Sequence, residues 1–124
     1  MSKRLLVTDD ALIVREIIKD TAQQAGYEIV GEATNGQEAA LLYEQLRPDL
    51  VTLDLVMPEF DGLYALRTIR AAFPEARIVM VSALDQKTVL KDAFRLGATD
   101  FVVKPFDRRQ LIDTLDRALA ATPA

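Results

Sequence analysis

Five polar residues lie at the ends of short apolar segments, and their side chains could together perform phosphoryl chemistry. These residues are Asp9, Asp10, Asp54, Ser82 and Lys104. A carboxylate can attack phosphorus as a nucleophile, an ammonium group can neutralise a phosphoryl oxygen, and a hydroxyl can donate a hydrogen bond to another oxygen. Singly, such residues more often serve as helix caps or as solvated surface groups. Their recurrence at equivalent places along the chain indicates a common site.

The apolar segments alternate with segments of helical periodicity along the whole chain. This alternation is typical of βαβ units and therefore of a parallel sheet covered by helices on both faces. Strands are predicted at Leu5–Thr8, Glu28–Ala33, Leu50–Leu53, Ile78–Val81 and Phe101–Val103. The second of these alternates more than the others and carries two acids, so we expect it at an edge of the sheet.

Five helices are predicted between and after these strands. Their predicted bounds are Ala11–Ala25, from Asn35 to before Pro48, Gly62–Phe73, Gln86–Leu96, and from Asp107 onward. Capping boxes at 35–38 and 107–110 mark the starts of the second and the last helix. Because a length of 124 residues suits one core, we expect a single domain over residues 1–124.

The loops that follow the predicted strands are strongly acidic. They contain seven acids, Asp9, Asp10, Asp54, Glu59, Asp61, Asp85 and Asp107, against two bases, Lys87 and Lys104. In an open parallel sheet, ligands bind beyond the carboxyl ends of the strands, where these loops lie. If the first and third strands are neighbours, Asp9, Asp10 and Asp54 converge and need a counter-charge to stay ionised. A hard divalent cation, Mg²⁺ or Mn²⁺, is the counter-charge that carboxylate oxygens favour.

The composition excludes several other chemistries. The sequence contains no Cys and no His, which excludes thiolate and imidazole metal sites, disulfides, Cys nucleophiles and Ser-His-Asp triads. A formal net charge of −4 disfavours direct binding to nucleic acid. The sequence also has no signal-peptide pattern and no run of about 18 apolar residues. We therefore expect a cytoplasmic protein with no nucleic acid partner and no insertion into membranes.

Two other classes of α/β protein share parts of this pattern. A Mg²⁺-dependent phosphatase with an aspartyl nucleophile carries a second Asp two residues later, whereas here Asp9 and Asp10 are adjacent and position 11 is Ala. A flavodoxin-type FMN carrier needs a phosphate loop after the first strand, where two acids would repel the phosphate. Neither GxxxxGK[ST] nor GxGxxG occurs, so nucleotide binding has no support. The phosphatase is kept as the alternative of another class.

Four motifs of the chain together resemble a known family. They are Asp9-Asp10, the segment DLVMPEFDG at 54–62, the segment VSA at 81–83 and the segment FVVKPF at 101–106. In combination they resemble the CheY-like receiver domain of two-component response regulators, over about residues 3–119. The resemblance implies a flavodoxin-like (βα)5 fold with a doubly wound five-stranded parallel sheet. The strand order 2-1-3-4-5 is the order known for CheY itself and is carried over from the family.

The resemblance also implies a role for each residue of the candidate site. It makes Asp54 the phospho-acceptor and Lys104 the phosphate-contacting lysine, whose peptide bond to Pro105 is often cis in the family. It implies a Mg²⁺ site at Asp9, Asp10, Asp54 and the carbonyl of Val56. Ser82 stands where the family has Thr or Ser, and Phe101 where it often has an aromatic switch. The apolar Val56 side chain cannot contact an attacking water, so turnover of the phosphoryl group is expected to differ from that of relatives with a polar residue there.

The function implied is a phospho-accepting signalling switch rather than an enzyme. A sensor histidine kinase would donate the phosphoryl group, and the face of helix 4, strand 5 and helix 5 would then control a downstream protein, such as the flagellar motor switch or another regulator. The residues Ala83-Leu84 and Gln86-Lys87 are similar to those of stand-alone chemotaxis regulators. The alternative within the family is a receiver domain from a longer DNA-binding or effector-enzyme regulator.

Overall fold

Five strands and five helices alternate in the computed structural model, which describes residues 3–83 and 86–121. The strands are β1 (Arg4–Thr8), β2 (Glu28–Ala33), β3 (Leu50–Asp54), β4 (Ile78–Ala83) and β5 (Asp100–Lys104). The helices are α1 (Leu12–Gln24), α2 (Gly36–Leu46), α3 (Gly62–Ala72), α4 (Lys87–Arg95) and α5 (Arg108–Leu119). Leu84 and Asp85, which entered the sequence predictions, lie outside the described residues.

The strands form one parallel sheet in the order β2-β1-β3-β4-β5. This order confirms the predicted fold class, and β2 lies at an edge as its alternating sequence indicates. The central strand β3 is buried at every residue, as expected of a strand covered on both faces. The pairing of β1 with β2 shifts register between Leu5 and Leu6, which is a bulge on the side of the edge strand.

Alternate residues of the strands divide the core into two layers. On β1, Leu6 packs in one apolar cluster with α2, α3 and α4, whereas Leu5 and Val7 pack in the other with α1 and α5. This division follows from the two-residue period of a strand, which sends successive side chains to opposite faces. Each buried Leu or Ile stabilises the fold by roughly 1.5–3 kcal/mol relative to an exposed one.

Most of the predicted helix starts are confirmed by side-chain caps. Asp107 forms the predicted reciprocal capping box with Gln110. The box predicted at 35–38 is only half formed: Asn35 accepts from the backbone N–H of Glu38, but the Glu38 side chain accepts from the N–H of Thr34 and not from that of Asn35. Helix α4 is the least buried of the five, with Ala93 as its one fully buried residue. Within the described part of the chain, no helix has the length and apolar character needed to cross a membrane.

The strand ends differ in one respect from the sequence prediction. Asp54, Ser82 and Lys104 were expected to follow their strands, but each lies within its strand, at or near the last residue. The reason is that their backbones still pair with the neighbouring strand, Asp54 with Val81 and Ser82 with Val103. The polar side chains are therefore held by the sheet itself rather than by loops.

Candidate functional site

Three acidic side chains converge at the carboxyl ends of β1 and β3. These strands are direct neighbours, with Thr8 opposite Leu53, so the residues that follow them in register meet. Carboxylate oxygens of Asp9, Asp10 and Asp54 all lie within 4.8 Å of one another. The sequence predicts that these three acids converge if the first and third strands are neighbours. The strands are neighbours, and the acids do converge.

Asp9 is fully buried and is held at several atoms. Its backbone N–H donates to the carbonyl of Ala33 at 3.1 Å, and its Oδ1 accepts from the N–H of Ala11 at 2.9 Å. Its Oδ2 lies 3.0 Å from Nζ of Lys104. Asp10, by contrast, is exposed. The pair thus offers one fixed carboxylate and one that is free to move toward a ligand.

Lys104 reaches the acids from the far side of β4. Its Nζ lies 3.5 Å from Oδ1 of Asp54, in addition to its shorter contact with Asp9. The peptide bond between Lys104 and Pro105 is cis, as the resemblance implies. One ammonium group therefore pairs with two of the three carboxylates, which leaves the cluster with an excess of negative charge.

This excess charge acts on Asp54, which is only 6% exposed. Burial, followed by the charge of Asp9, raises the pKa of the Asp54 carboxyl to about 6. Lys104 and a hydrogen bond from the backbone of Val56 lower that pKa, and the charge of Asp10 raises it further. Asp54 is consequently harder to ionise than an ordinary aspartate, and added positive charge in the site would favour its ionised form.

Ser82 and Phe101 line one small cavity beside the acids. Ser82 is buried, and a mostly apolar cavity of about 180 Å³ extends from it between α4 and β5, lined also by Leu90 and Val103. The ring of Phe101 lies at the surface, 37% exposed, and packs edge-on against Phe94 with ring centres 5.6 Å apart. Phe101 is therefore not a plain core residue.

Comparison with known proteins identifies the family. The profile of the response regulator receiver domain matches residues 5–116. The chain belongs to this receiver family. It is 44% identical to the chemotaxis protein CheY of Thermotoga maritima over 117 residues, which cover 94% of this chain and 98% of that protein.

Solved structures agree with the sequence comparison. The response regulator domain of Thermotoga maritima CheB superposes with a TM-score of 0.87 at 32% identity, covering 99% of this chain and 100% of that one. A chain in the CheX–CheY–BeF3–Mg²⁺ complex from Borrelia burgdorferi has a TM-score of 0.86 at 32% identity, covering 95% of this chain and 87% of that one. The receiver fold is thus shared along nearly the whole chain.

Other predicted acids of this receiver domain do not join the cluster. Asp61 caps α3 by accepting from the N–H of Tyr64 at 2.9 Å, and Asp107 caps α5. Glu59 is an exposed loop residue with a φ of 66°. Six of the seven acids that the sequence places in these loops lie among the described residues. Of those six, Asp9, Asp10 and Asp54 form the cluster.

Val56 lies in the loop that follows Asp54 at the end of β3. Its side chain is 56% exposed, while Leu55 and Met57 on either side are buried. The buried neighbours fix the backbone of Val56 beside the receiver's acidic cluster. The apolar side chain offers no hydrogen bond at the mouth of the site.

Sequence reasoning missed Arg15, which supports the cluster from α1. Its Nη1 donates to the backbone carbonyl of Asp9 at 2.8 Å, and its Nε pairs with Glu32 on β2 at 3.1 Å. Lys19 also binds Glu32, at 2.9 Å. A charged residue on an exposed helix is usually a solvated one, and only the tertiary arrangement of α1 and β2 distinguishes Arg15 from such residues.

Proposed function

We propose that this receiver domain is a phospho-accepting signalling switch in which Asp54 receives a phosphoryl group from a histidine kinase. The observation that carries the proposal is the buried Asp54 carboxylate beside Asp9, Asp10 and the ammonium group of Lys104. A nucleophilic carboxylate with an acidic metal-binding pair and one lysine is the donor set that phosphoryl transfer to an aspartate needs.

The site fits a Mg²⁺ ion, and Mn²⁺ would substitute for it. Hard carboxylate oxygens within 4.8 Å of one another suit such an ion, and a divalent cation would offset the charge of Asp9, which after burial is the main cause of the raised pKa of Asp54. Asp9, Asp10, Asp54 and the carbonyl of Val56 are the groups that would hold it. When bound, Mg²⁺ would neutralise the carboxylates and help to orient the incoming phosphoryl group.

The proposed transfer breaks one bond and forms one. A carboxylate oxygen of Asp54 attacks phosphorus, the P–N bond of a phosphohistidine breaks, and its electron pair returns to the imidazole nitrogen. Lys104 neutralises one phosphoryl oxygen, and the hydroxyl of Ser82 donates a hydrogen bond to another. Because these 124 residues contain no His, the phosphohistidine lies outside them. The chemistry is limited to the domain's own phosphorylation and hydrolysis.

The output would follow from the cavity beside Ser82. If Ser82 moves toward the phosphoryl group, the ring of Phe101 can turn from the surface into that cavity. The surface that changes carries exposed Phe94 and Phe101 beside exposed Lys87, Lys91 and Arg95 on α4. This combination suits a downstream protein with an acidic, apolar segment, such as a flagellar motor switch component or another regulator.

Stand-alone action of this single domain in the cytoplasm is part of the proposal. It is supported by the 98% of the Thermotoga maritima CheY chain that the match covers, and by the chemotaxis role that the name of that relative states. The alternative, a receiver within a longer regulator, predicts coding sequence for an output domain in the same reading frame. Sequencing the gene on both sides distinguishes the two.

Incubation with acetyl phosphate and Mg²⁺, followed by intact mass measurement, tests the central claim. We expect a mass increase of one phosphoryl group that requires Mg²⁺ and disappears in Asp54→Asn. Asp113→Asn, at an exposed acid of α5, is the matched control and should be labelled like the native protein. A native protein that stays unlabelled, under conditions that label a known receiver domain, would contradict the proposal.

A further inference from the structure

The loop between β3 and α3, residues 55–61, is a closed unit at the candidate site. Its ends meet where the backbone N–H of Gly62 donates to the carbonyl of Leu55 at 3.1 Å. Gly62 itself is pressed onto the strand, since a Cβ built there would lie 2.3 Å from the carbonyl oxygen of Asp54. The loop carries the backbone of Val56, so its position determines where that carbonyl lies.

The far side of the loop contains a tight turn. The N–H of Phe60 donates to the carbonyl of Pro58 at 2.8 Å across Glu59, whose φ of 66° is in the left-handed region. A turn of this kind is rare and strained for a residue with a side chain. Contacts from outside the loop are therefore needed to maintain it.

Those contacts come from Gly36, the first residue of α2. Its N–H donates to the carbonyl of Phe60 at 2.5 Å. A Cβ at this position would lie 2.4 Å from the carbonyl oxygen of Asp61 and 2.9 Å from that of Phe60. Both obstacles are backbone atoms, which cannot turn aside as the end of a side chain can.

Apart from Gly36 and Gly62, the glycines do not contact the site. At Gly31 the nearest obstacle is the flexible end of the Leu46 side chain, and at Gly26 a Cβ would meet nothing within 4 Å. Gly36 is moreover absent from the glycines with positive φ among the described residues. The need for glycine at position 36 is thus a need for close approach and not for an unusual backbone conformation.

We propose that Gly36 is a positioning residue of the phosphorylation site. The close approach it permits holds the 55–61 loop against α2 and thereby places the Val56 backbone beside Asp54. A displaced loop would move the Val56 carbonyl, proposed as a Mg²⁺ ligand, relative to the Asp54 carboxyl. This inference rests on the proposed function of the site.

Gly36→Ala tests the inference, with Gly26→Ala as the matched control. Alanine favours the helix at position 36, so the helix itself does not resist the change. At position 26, where φ is +92°, alanine strains the backbone beyond the C-terminal end of α1, away from the site at its N-terminal end. We expect Gly36→Ala to weaken Mn²⁺ binding, read by electron paramagnetic resonance, and to slow labelling by acetyl phosphate, each about 10- to 100-fold. Gly26→Ala should match the native protein in both.

Asn35→Ala gives a second, milder variant that adds no atom near the loop. It removes the acceptor of the Glu38 N–H at 2.9 Å and so loosens the first turn of α2. We expect a several-fold loss in the same two measurements. Urea unfolding establishes that each variant is folded in the assay.

The outcomes separate this inference from the proposed function. If the native protein binds Mn²⁺ but takes no phosphoryl group, the proposed function fails, while the Mn²⁺ affinities still decide the role of Gly36. If the native protein is labelled and Gly36→Ala matches Gly26→Ala in both measurements, the positioning role is overturned. If Gly36→Ala does not fold, an Asn35→Ala variant that behaves as the native protein overturns it.

Discussion

The ammonium group of Lys104 lies 3.0 Å from the buried carboxylate of Asp9. Its distance to the proposed phospho-acceptor Asp54 is longer, at 3.5 Å. In this arrangement Lys104 supplies part of the positive charge that the acidic cluster requires. The lysine and a divalent cation would therefore compete for the same carboxylates, although the proposed phosphoryl transfer uses both.

Removal of Lys104 should strengthen metal binding. In Lys104→Met the acids lose the ammonium group that pairs with Asp9 and Asp54, and we expect Mg²⁺ to bind about tenfold more tightly, corresponding to roughly 1.4 kcal/mol. Isothermal titration calorimetry measures this affinity, and Lys91→Met, at an exposed lysine of α4, serves as the control. An unchanged or weaker affinity in Lys104→Met would contradict the competition between lysine and metal.

The stability of the metal-free protein should depend on pH through Asp54. Its pKa is raised from 3.8 to about 6, so the folded state holds this proton more tightly than the unfolded state does. The resulting stabilisation is present below pH 4 and is lost as the pH rises to about 6, with a total near 3 kcal/mol. We therefore expect the difference in unfolding free energy between native protein and Asp54→Asn to change between pH 5 and pH 7. Urea unfolding in the presence of a chelator measures it. A constant difference would refute the raised pKa.

Thr52→Val should stabilise the fold. The Thr52 hydroxyl is fully buried on β3, and it has no hydrogen-bond partner among the described residues. Its replacement by an isosteric methyl group removes the cost of an unpaired polar atom, about 1 kcal/mol. Thr114→Val is the control, because the Thr114 hydroxyl donates to the carbonyl of Gln110 at 2.8 Å and should not gain stability on removal. Equal changes in both variants, measured by urea unfolding, would exclude this explanation.

The coupling of Ser82 to Phe101 can be observed directly. In protein labelled with fluorophenylalanine, we expect phosphorylation to shift the fluorine resonance of Phe101, since the ring leaves the surface for the cavity. The shift should vanish in Ser82→Ala. The resonance of Phe73, whose ring packs against Tyr43 in the core, should not change on phosphorylation in either protein. A Phe101 shift that persists without the Ser82 hydroxyl would show that Ser82 does not drive the ring.

Most of the fold was predictable because it depends on local patterns. The runs of Val, Ile and Leu determine the strands, and caps such as Asn35 and Asp107 determine where helices begin. The strand order was carried over from the family, since nothing in the periodicity shows which strands are neighbours. Strand ends were misplaced by one or two residues at Asp54 and Ser82, because backbone pairing continues past the last apolar residue.

The supporting residues of the site were not predictable in the same way. Asp9, Asp10 and Asp54 could be grouped because each follows an apolar strand, which is a local signal. Arg15 and Gly36 support the site through contacts with Asp9 and with the 55–61 loop, and these contacts join separate βα units. Such contacts leave no trace in spacing or composition, so only the assembled structure shows them.

The position of Phe101 and Lys104 on one short strand has a consequence for how a signal would travel. Both lie on β5, three residues apart, which is about 10 Å at the rise of an extended chain. A change at the phosphoryl group that Lys104 contacts would therefore have a second route to the outer surface, along β5, beside the route through Ser82 on β4. Insertion of one residue between them would place one of the two side chains on the opposite face of the sheet and so break this link.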